Sequence, residues 1–210
     1  VYAAQEIMKV NVVGTMTILR VARDIGAKKV VVVSSDKAVE ATNLYGSSKF
    51  SAECLAVQEN AFSYPKGMSV VVVRYGNVLG SRGSVVHIWR EQIKNGQQVS
   101  VTHPDMTRFI VPMDHAVHLI LDAILAGQAG EILVPELPTA RMVDLALATM
   151  VEAGCPEGTM GNFSGLRPGG EKLHEALLSQ EEVPRTWKHS SGHWAIAPSH
   201  QTWSVPPAHS

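Results

Sequence analysis

Two valine-rich runs constrain the fold of this chain more than any other feature. Lys29–Val33 (KVVVV) and Ser69–Arg74 (SVVVVR) are continuous β-branched stretches with no polar alternation. That pattern belongs to strands buried on both faces, as in a parallel sheet. Ahead of the first run, Ile7, Val10, Gly14, Ile18, Leu19 and Ala22 recur at three- and four-residue steps, which predicts one amphipathic helix over Gln5–Ile25, ended by Gly26. Between the runs, Tyr45–Asn60 reads as a second helix with Asn43 as its cap. Helix, strand, helix, strand implies right-handed parallel crossovers, and hence half of a doubly wound α/β sheet. Ligands of such sheets bind outside the carboxyl ends of the strands, so the loops at 34–44 and 75–84 are the candidate sites.

Beyond Gly83 the pattern changes to helix Val85–Asn95, strand Val99–Thr102, helix Met113–Ala126, strand Glu131–Val134 and helix Arg141–Ala153, a smaller α+β substrate lobe. Residues 185–210 are rich in Ser, Pro, His and Trp without periodicity, which predicts an extended surface tail. Across 210 residues, 45% hydrophobic content is enough for a buried core, and a net charge of −1 offers no basic field for nucleic acid. No apolar run of about 18 residues is present to span a bilayer. The two cysteines, Cys54 and Cys155, lie far apart, which supports neither a disulfide framework nor a zinc site and fits a reduced, cytoplasmic setting. The chain opens on VYAAQEIMKVN, which reads as the middle of a helix, so a fragment of a longer protein is expected.

Three segments carry chemistry. Tyr45 and Lys49 form YxxxK, and positions i and i+4 share a helix face. An ammonium there would favour the phenolate and make the tyrosine a usable base. Ser34, Ser35, Asp36 and Lys37 bring hydroxyl, carboxyl and amine to the end of the first strand, where they could orient an alcohol and act as general acid and base. RYGNVLGSRGSVV at 74–86 holds three glycines and lets backbone approach a ligand, but its spacing is not that of a GxGxxG turn. Each segment also has a plainer reading: an exposed helical pair, a capped polar turn, a junction between lobes.

Taken together, NVVGT at 11–15, SSDKA at 34–38, NLYGSSK at 43–49, RYGNVLGSRGSVV at 74–86, MTRF at 106–109, GEILVP at 130–135 and RPGGEKLHE at 167–175 resemble the extended short-chain dehydrogenase/reductases. Within them the chain is most similar to the configuration-inverting UDP-N-acetylglucosamine 4,6-dehydratases of polysaccharide biosynthesis. The resemblance covers about residues 1–198. It implies the C-terminal part of a Rossmann-like doubly wound parallel sheet plus a smaller α+β lobe. The divisions would be a partial NAD(P)-binding domain over 1–84, a nucleotide-sugar-binding lobe over 85–184 and the tail. Nothing in the sequence matches the family's glycine-rich cofactor loop, so the cofactor implied is NADP or NAD.

By this resemblance Tyr45 would take the proton from the sugar O4, and Lys49 would hold the cofactor ribose and lower the tyrosine pKa. Lys37 would remove the C5 proton, and Asp36 would protonate the departing O6. Ser35 stands where the family has Thr and would orient O4. Ser35, Val78, Leu79, Gly80, Ser81 and Arg82 would join Tyr45 and Lys49 around the cofactor. Lys37, Asn77, Gly83, Thr102, Arg108, Arg167 and Glu171 would line the UDP-sugar, the arginines as forks on its pyrophosphate. A homo-oligomer is implied, with no nucleic acid, membrane span or metal. Two departures stand out: an added glycine at 169–170, which shifts Glu171, and His87 where the family has Pro. A nucleotide-sugar 4-epimerase needs only the tyrosine, the lysine and NAD, and a retaining dehydratase is closer still, so the Asp36–Lys37 pair is what separates the epimerase reading. The isolated fragment could also be a non-catalytic UDP-sugar-binding module. His189, His193 and His200 raise a metal reading that lacks carboxylate or cysteine support.

Overall fold

The computed structural model describes residues 3–63, 67–81, 83–155 and 160–199. The first helical stretch is not one uniform helix. Helix α1 (Ala4–Met8) runs into a π-helical stretch, Lys9–Gly14, and emerges as α2 (Thr15–Asp24). The Thr15 hydroxyl donates to the Asn11 carbonyl at 2.8 Å, occupying an acceptor inside the widened turn. Such bulges are common at functional sites. Gly26, at φ 75°, ends the helix, and Ala27 N–H donates back to Ala22 at 2.9 Å.

Strand β1 (Lys29–Ser35), a 3₁₀ turn at Asp36–Ala38, helix α3 (Leu44–Ser63) and strand β2 (Ser69–Tyr75) follow. The two strands pair in parallel from Lys29↔Ser69 to Ser35↔Tyr75. Val70–Val73 are no more than 1% exposed, as the unbroken valine run requires. Asn60 fastens α3 to β2: its amide donates to the Val70 carbonyl at 3.0 Å, and its carbonyl accepts from Val70 N–H at 2.8 Å.

The remaining elements are β3 (Asn77–Val78), α4 (Val85–Lys94), β4 (Val99–Val101), β5 (Thr107–Val111), α5 (Met113–Leu125), β6 (Ile132–Val134), β7 (Thr139–Arg141), α6 (Met142–Glu152), β8 (Met160–Phe163), a 3₁₀ turn at Val183–Arg185, β9 (Thr186–Lys188) and β10 (Trp194–Ile196). They divide into two compact units. One runs up to Tyr75, resumes over Val117–Glu136 and takes in the chain from Ala176; the other is Gly76–Ala116 with Leu137–Glu175. The expected division at 84/85 is therefore corrected. The chain changes unit right after β2 and returns to the first at Val117 within α5, after which β6 continues that unit's sheet.

That sheet has the order β1-β2-β6-β10-β9, with β1, β2 and β6 parallel and β10 antiparallel to both neighbours. The fold is mixed α/β around a parallel core, with smaller sheets in the second unit. The extended surface tail expected at 185–210 is corrected over 186–196, the part from 200 lying outside the described residues: β9 and β10 are integral strands, and Trp187 packs against the core of Val71, Val73, Leu119, Ala123, Leu133 and Ala195. Strands of three residues are too short to leave a periodic signal. The second unit packs Trp89, Val99, Val101, Met106, Met142 and Ala146 into its own core and pairs β3-β5-β7 and β4-β8.

His189 and His193 face Glu131 (3.8 Å) and Asp122 (2.9 Å) in the first unit; His200 lies outside the described residues. Among the described residues, no group of three His, Cys, Asp or Glu could hold a metal ion, and no helix is long and apolar enough to cross a membrane.

Arg74 interrupts the valine run and is 1% exposed. It pairs with Glu53 of α3 through Nε at 2.9 Å and Nη2 at 2.6 Å, and with Glu182 at 3.0 and 2.9 Å; it also donates to the Leu177 carbonyl. Burial alone would push the Glu182 carboxyl up, but hydrogen bonds and charge from Arg74 outweigh it and hold the group below the usual carboxylate range.

Candidate active site

The carboxyl end of β1 holds one group of candidate residues. Asp36 is fully buried, and its Oδ1 accepts from the Ser35 hydroxyl at 2.7 Å and from Lys37 Nζ at 2.9 Å. Its Oδ2 is buried with no hydrogen-bond partner, and so is the Ser34 hydroxyl. An unpaired buried carboxyl oxygen is costly. The Ser35 hydroxyl, expected to point at a substrate alcohol, instead donates to Asp36 and accepts Lys37 N–H at 3.3 Å, capping the 3₁₀ turn.

Helix α3 brings Tyr45 to the same strand end. Asn43 caps it, its side chain accepting Gly46 N–H at 2.9 Å. Asn11, from the π-helical stretch, donates to the Ser48 hydroxyl at 2.9 Å, and Ser48 donates to the Tyr45 carbonyl at 2.7 Å. Lys49 Nζ donates to the Val33 carbonyl at 3.2 Å. Burial pushes the Tyr45 phenol above the ordinary tyrosine value, and the charge of Asp36 and then Tyr75 push it further. The expected lowering by Lys49 is thus corrected: the local field of this site favours the protonated phenol. Burial lowers the Lys49 amine, partly countered by Glu53.

Gly46 sets the distance between helix and turn. A Cβ there would stand 2.2 Å from the Lys37 carbonyl oxygen and 3.1 Å from the Ala41 Cβ. Gly46→Ala is therefore expected to cost about 1–3 kcal/mol, as overpacking does, because α3 must withdraw from residues 36–38. A urea midpoint unchanged from the parent would show that the turn yields freely.

The second unit holds the glycine-rich segment. Asn77, Val78, Leu79, Gly80, Ser81 and Gly83 line one cavity of about 170 Å³ together with Ile110, Met142 and Leu145. Whole small-molecule pockets run to about 300–1,000 Å³, so this one suits part of a ligand. Gly80 and Gly83 adopt φ of 71° and 75° with open space where a Cβ would stand. Arg82 lies outside the described residues. His87, in place of the expected Pro, contacts the Gly80 carbonyl at 3.0 Å.

The other expected sugar ligands do not join that cavity. Arg108 is 7% exposed, and its fork is committed to the carbonyls of Thr107, Leu173 and Lys172 at 2.7–3.1 Å, with Glu171 at 3.7 Å. Arg108 thus grips the 171–173 loop. Glu171 accepts Arg167 N–H at 2.8 Å, closing the loop around Gly169 and Gly170, both at positive φ. Thr102 donates to the Met106 sulfur at 3.1 Å. The Arg167 side chain is exposed.

Residues 2–196 match the polysaccharide biosynthesis protein family. The chain belongs to that family. It is 40% identical over 187 residues to a Methanocaldococcus jannaschii protein described as an uncharacterized membrane protein, covering 87% of this chain and 56% of that one. It is 33% identical over 199 residues to a UDP-N-acetylglucosamine 4,6-dehydratase (inverting) of Campylobacter jejuni, covering 94% of this chain and 57% of that one. A UDP-glucose 4-epimerase of Rickettsia typhi is 37% identical over 180 residues, covering 86% and 52%. Among solved structures, Pen from Bacillus thuringiensis superimposes with a TM-score of 0.83 at 32% identity, covering 90% of this chain and 58% of that one. The dTDP-glucose 4,6-dehydratase DesIV of Streptomyces venezuelae, solved with NAD and TYD bound, shares the fold at a TM-score of 0.75 and 21% identity, covering 87% and 61%. The chain thus spans little more than half the length of these relatives.

Gly46, Glu53, Arg74 and Glu182 were not singled out from sequence. Signals for them exist: a glycine in the first turn of a helix needs a reason, an arginine inside a buried strand needs a counter-charge, and Tyr45, Lys49 and Glu53 repeat every fourth residue.

Proposed function

We propose that the protein carrying this chain is a nucleotide-sugar 4,6-dehydratase acting on UDP-N-acetylglucosamine. The observation that carries the reading is the pair of the buried Asp36 with the half-buried Lys37 at 2.9 Å, at the Tyr45 end of α3, where the Asp36 charge acts on the phenol. A phenol and an amine four residues apart on one helix face at the edge of a parallel sheet offer two donors to a ribose diol, so the residues fit a nicotinamide cofactor. Tyr45 and Lys49 would hold it. When bound, NAD or NADP supplies the hydride acceptor for C4 and the donor for C6 and, oxidised, a cationic ring that favours the phenolate.

In this scheme Tyr45 receives the O4 proton as C4 becomes a ketone. The ketone acidifies the C5 proton, which the neutral Lys37 amine removes while Asp36 gives its proton to O6 and water leaves. The step ends with lysine ammonium beside aspartate, the ion pair seen here. One proton crossing 2.9 Å resets the acid and base. C5 takes a new proton from solvent, on the opposite face in an inverting enzyme.

A 4-epimerase would need no acid and base at this strand end, and the Rickettsia relative keeps that reading in view. Lys37→Ala in the full-length protein is expected to abolish solvent-deuterium incorporation at C5. Undiminished incorporation would remove Lys37 as the base.

A further inference from the structure

Gly80 gives the glycine-rich segment its bend and also its freedom. Its φ of 71° suits a residue without a side chain, and the place a Cβ would take is open space, so the backbone can rotate there at little steric cost. Within the segment the Gly80–Ser81 peptide has one long tie, Ser81 N–H donating to the Val78 carbonyl at 3.3 Å. Shorter bonds flank it. Leu79 N–H donates to the Val111 carbonyl and Ser84 N–H to the Ser81 carbonyl, both at 2.9 Å. The Gly80 carbonyl is held from outside the segment, by His87 in the first turn of α4, whose Nε2 lies 3.0 Å away. A carbonyl oxygen only accepts, so the ring donates and carries its proton on Nε2. His87 is itself set in place by its backbone N–H, which donates to the Ser84 carbonyl at 3.0 Å.

We propose that His87 is a positioning residue for the cavity of the second unit. Through Nε2–H it holds the Gly80–Ser81 peptide, and with it the stretch of wall that Leu79, Gly80 and Ser81 contribute. The ring is exposed and is not among the residues lining the cavity, so it stands behind the wall and acts through Gly80. Its effect is that of one ordinary hydrogen bond placed where the backbone is freest. Proline, which the sequence resemblance leads one to expect at position 87, would offer no donor. The consequence for ligand affinity rests on the reading of the site proposed above; the hold on the segment does not.

The test compares His87→Leu, His87→Asn and His87→Gln in the full-length protein. The first removes the donor, the second carries an amide donor one methylene too short, and the third carries the same amide at nearly the reach of Nε2. Amide hydrogen exchange of the 79–84 segment, followed by mass spectrometry without ligand, reads the hold directly. His87→Leu and His87→Asn are expected to exchange about two- to tenfold faster there, the equilibrium worth of one net hydrogen bond, with His87→Gln close to the parent. Unchanged exchange in His87→Leu, or exchange in His87→Gln as fast as in His87→Leu, overturns the inference. Should His87→Leu fail to fold by circular dichroism, His87→Asn takes its place in both comparisons. In turnover of UDP-N-acetylglucosamine, His87→Leu should raise KM by about two- to tenfold and leave kcat within about twofold of the parent. A fall in kcat at unchanged KM would put His87 at the reacting atoms and overturn the positioning role. A parent without dehydratase turnover overturns only the reading of the site, and the exchange comparison then decides the role of His87 alone.

Discussion

Tyr45→Phe in the full-length protein is expected to lower kcat for UDP-N-acetylglucosamine by about 10²–10⁴-fold, the range for loss of a positioned proton-transfer group. The phenol is the group proposed to accept the O4 proton, and without it the 4-keto intermediate does not form. Tyr45 is 40% exposed, so losing one hydroxyl should change stability by less than about 0.5 kcal/mol. Rate and fold are thereby separable: the variant should melt with the parent while product formation all but stops. Because burial and Asp36 keep the phenol protonated, activity of the parent should climb on going from neutral to mildly alkaline pH. Turnover within tenfold of the parent in Tyr45→Phe would place the O4 proton elsewhere.

Arg74→Met should be the most destabilising single change in the first unit, at about 3–5 kcal/mol, the cost of leaving buried charges unpaired. Glu53 and Glu182 would face each other without the guanidinium that now bridges α3, β2 and the segment after Ala176. Adding Glu53→Leu and Glu182→Leu should recover most of the loss, since no buried charge then remains. The pH dependence has a definite sign. Glu182 is held below its unfolded value, so its contribution is present above the unfolded carboxylate pKa of about 4.3 and is lost as pH falls through the folded value. The difference between parent and Arg74→Met should shrink accordingly in acid. Urea titrations at neutral and acidic pH measure both effects, and a neutral-pH loss under about 1 kcal/mol would show that the cluster is dispensable.

What could be read from the sequence follows from how many residues carry each signal. The valine runs and the helices flanking them announce a parallel α/β core, because seven-residue strands and a twenty-residue helix repeat their pattern several times, although only the second run is buried. β9 and β10, at three residues each, repeat nothing; β10 is placed by pairing with β6, a contact between segments about 60 residues apart, and β9 by pairing with β10. The π-helical stretch was equally invisible, since one widened turn barely shifts an apolar stripe.

At the site, the sequence brought Ser35, Asp36, Lys37, Tyr45 and Lys49 into view, but not their protonation balance. The phenol is raised rather than lowered because burial and the Asp36 charge, both tertiary effects, act on it. Arg108 reads as a phosphate fork in one dimension; in three, the carbonyls of residues 172 and 173 already fill it.

Whether the Asp36–Lys37 pair eliminates water from the sugar whose O4 proton Tyr45 accepts separates a dehydratase from an epimerase. Proton NMR of the full-length protein turning over UDP-N-acetylglucosamine in D₂O measures this directly. Dehydration gives a 4-keto-6-deoxy sugar with a new methyl signal, deuterium at C5 and the C4 hydrogen carried to C6. A product that keeps its C6 hydroxymethyl group and its C5 hydrogen, changed only at C4, would contradict the account and make the protein an epimerase.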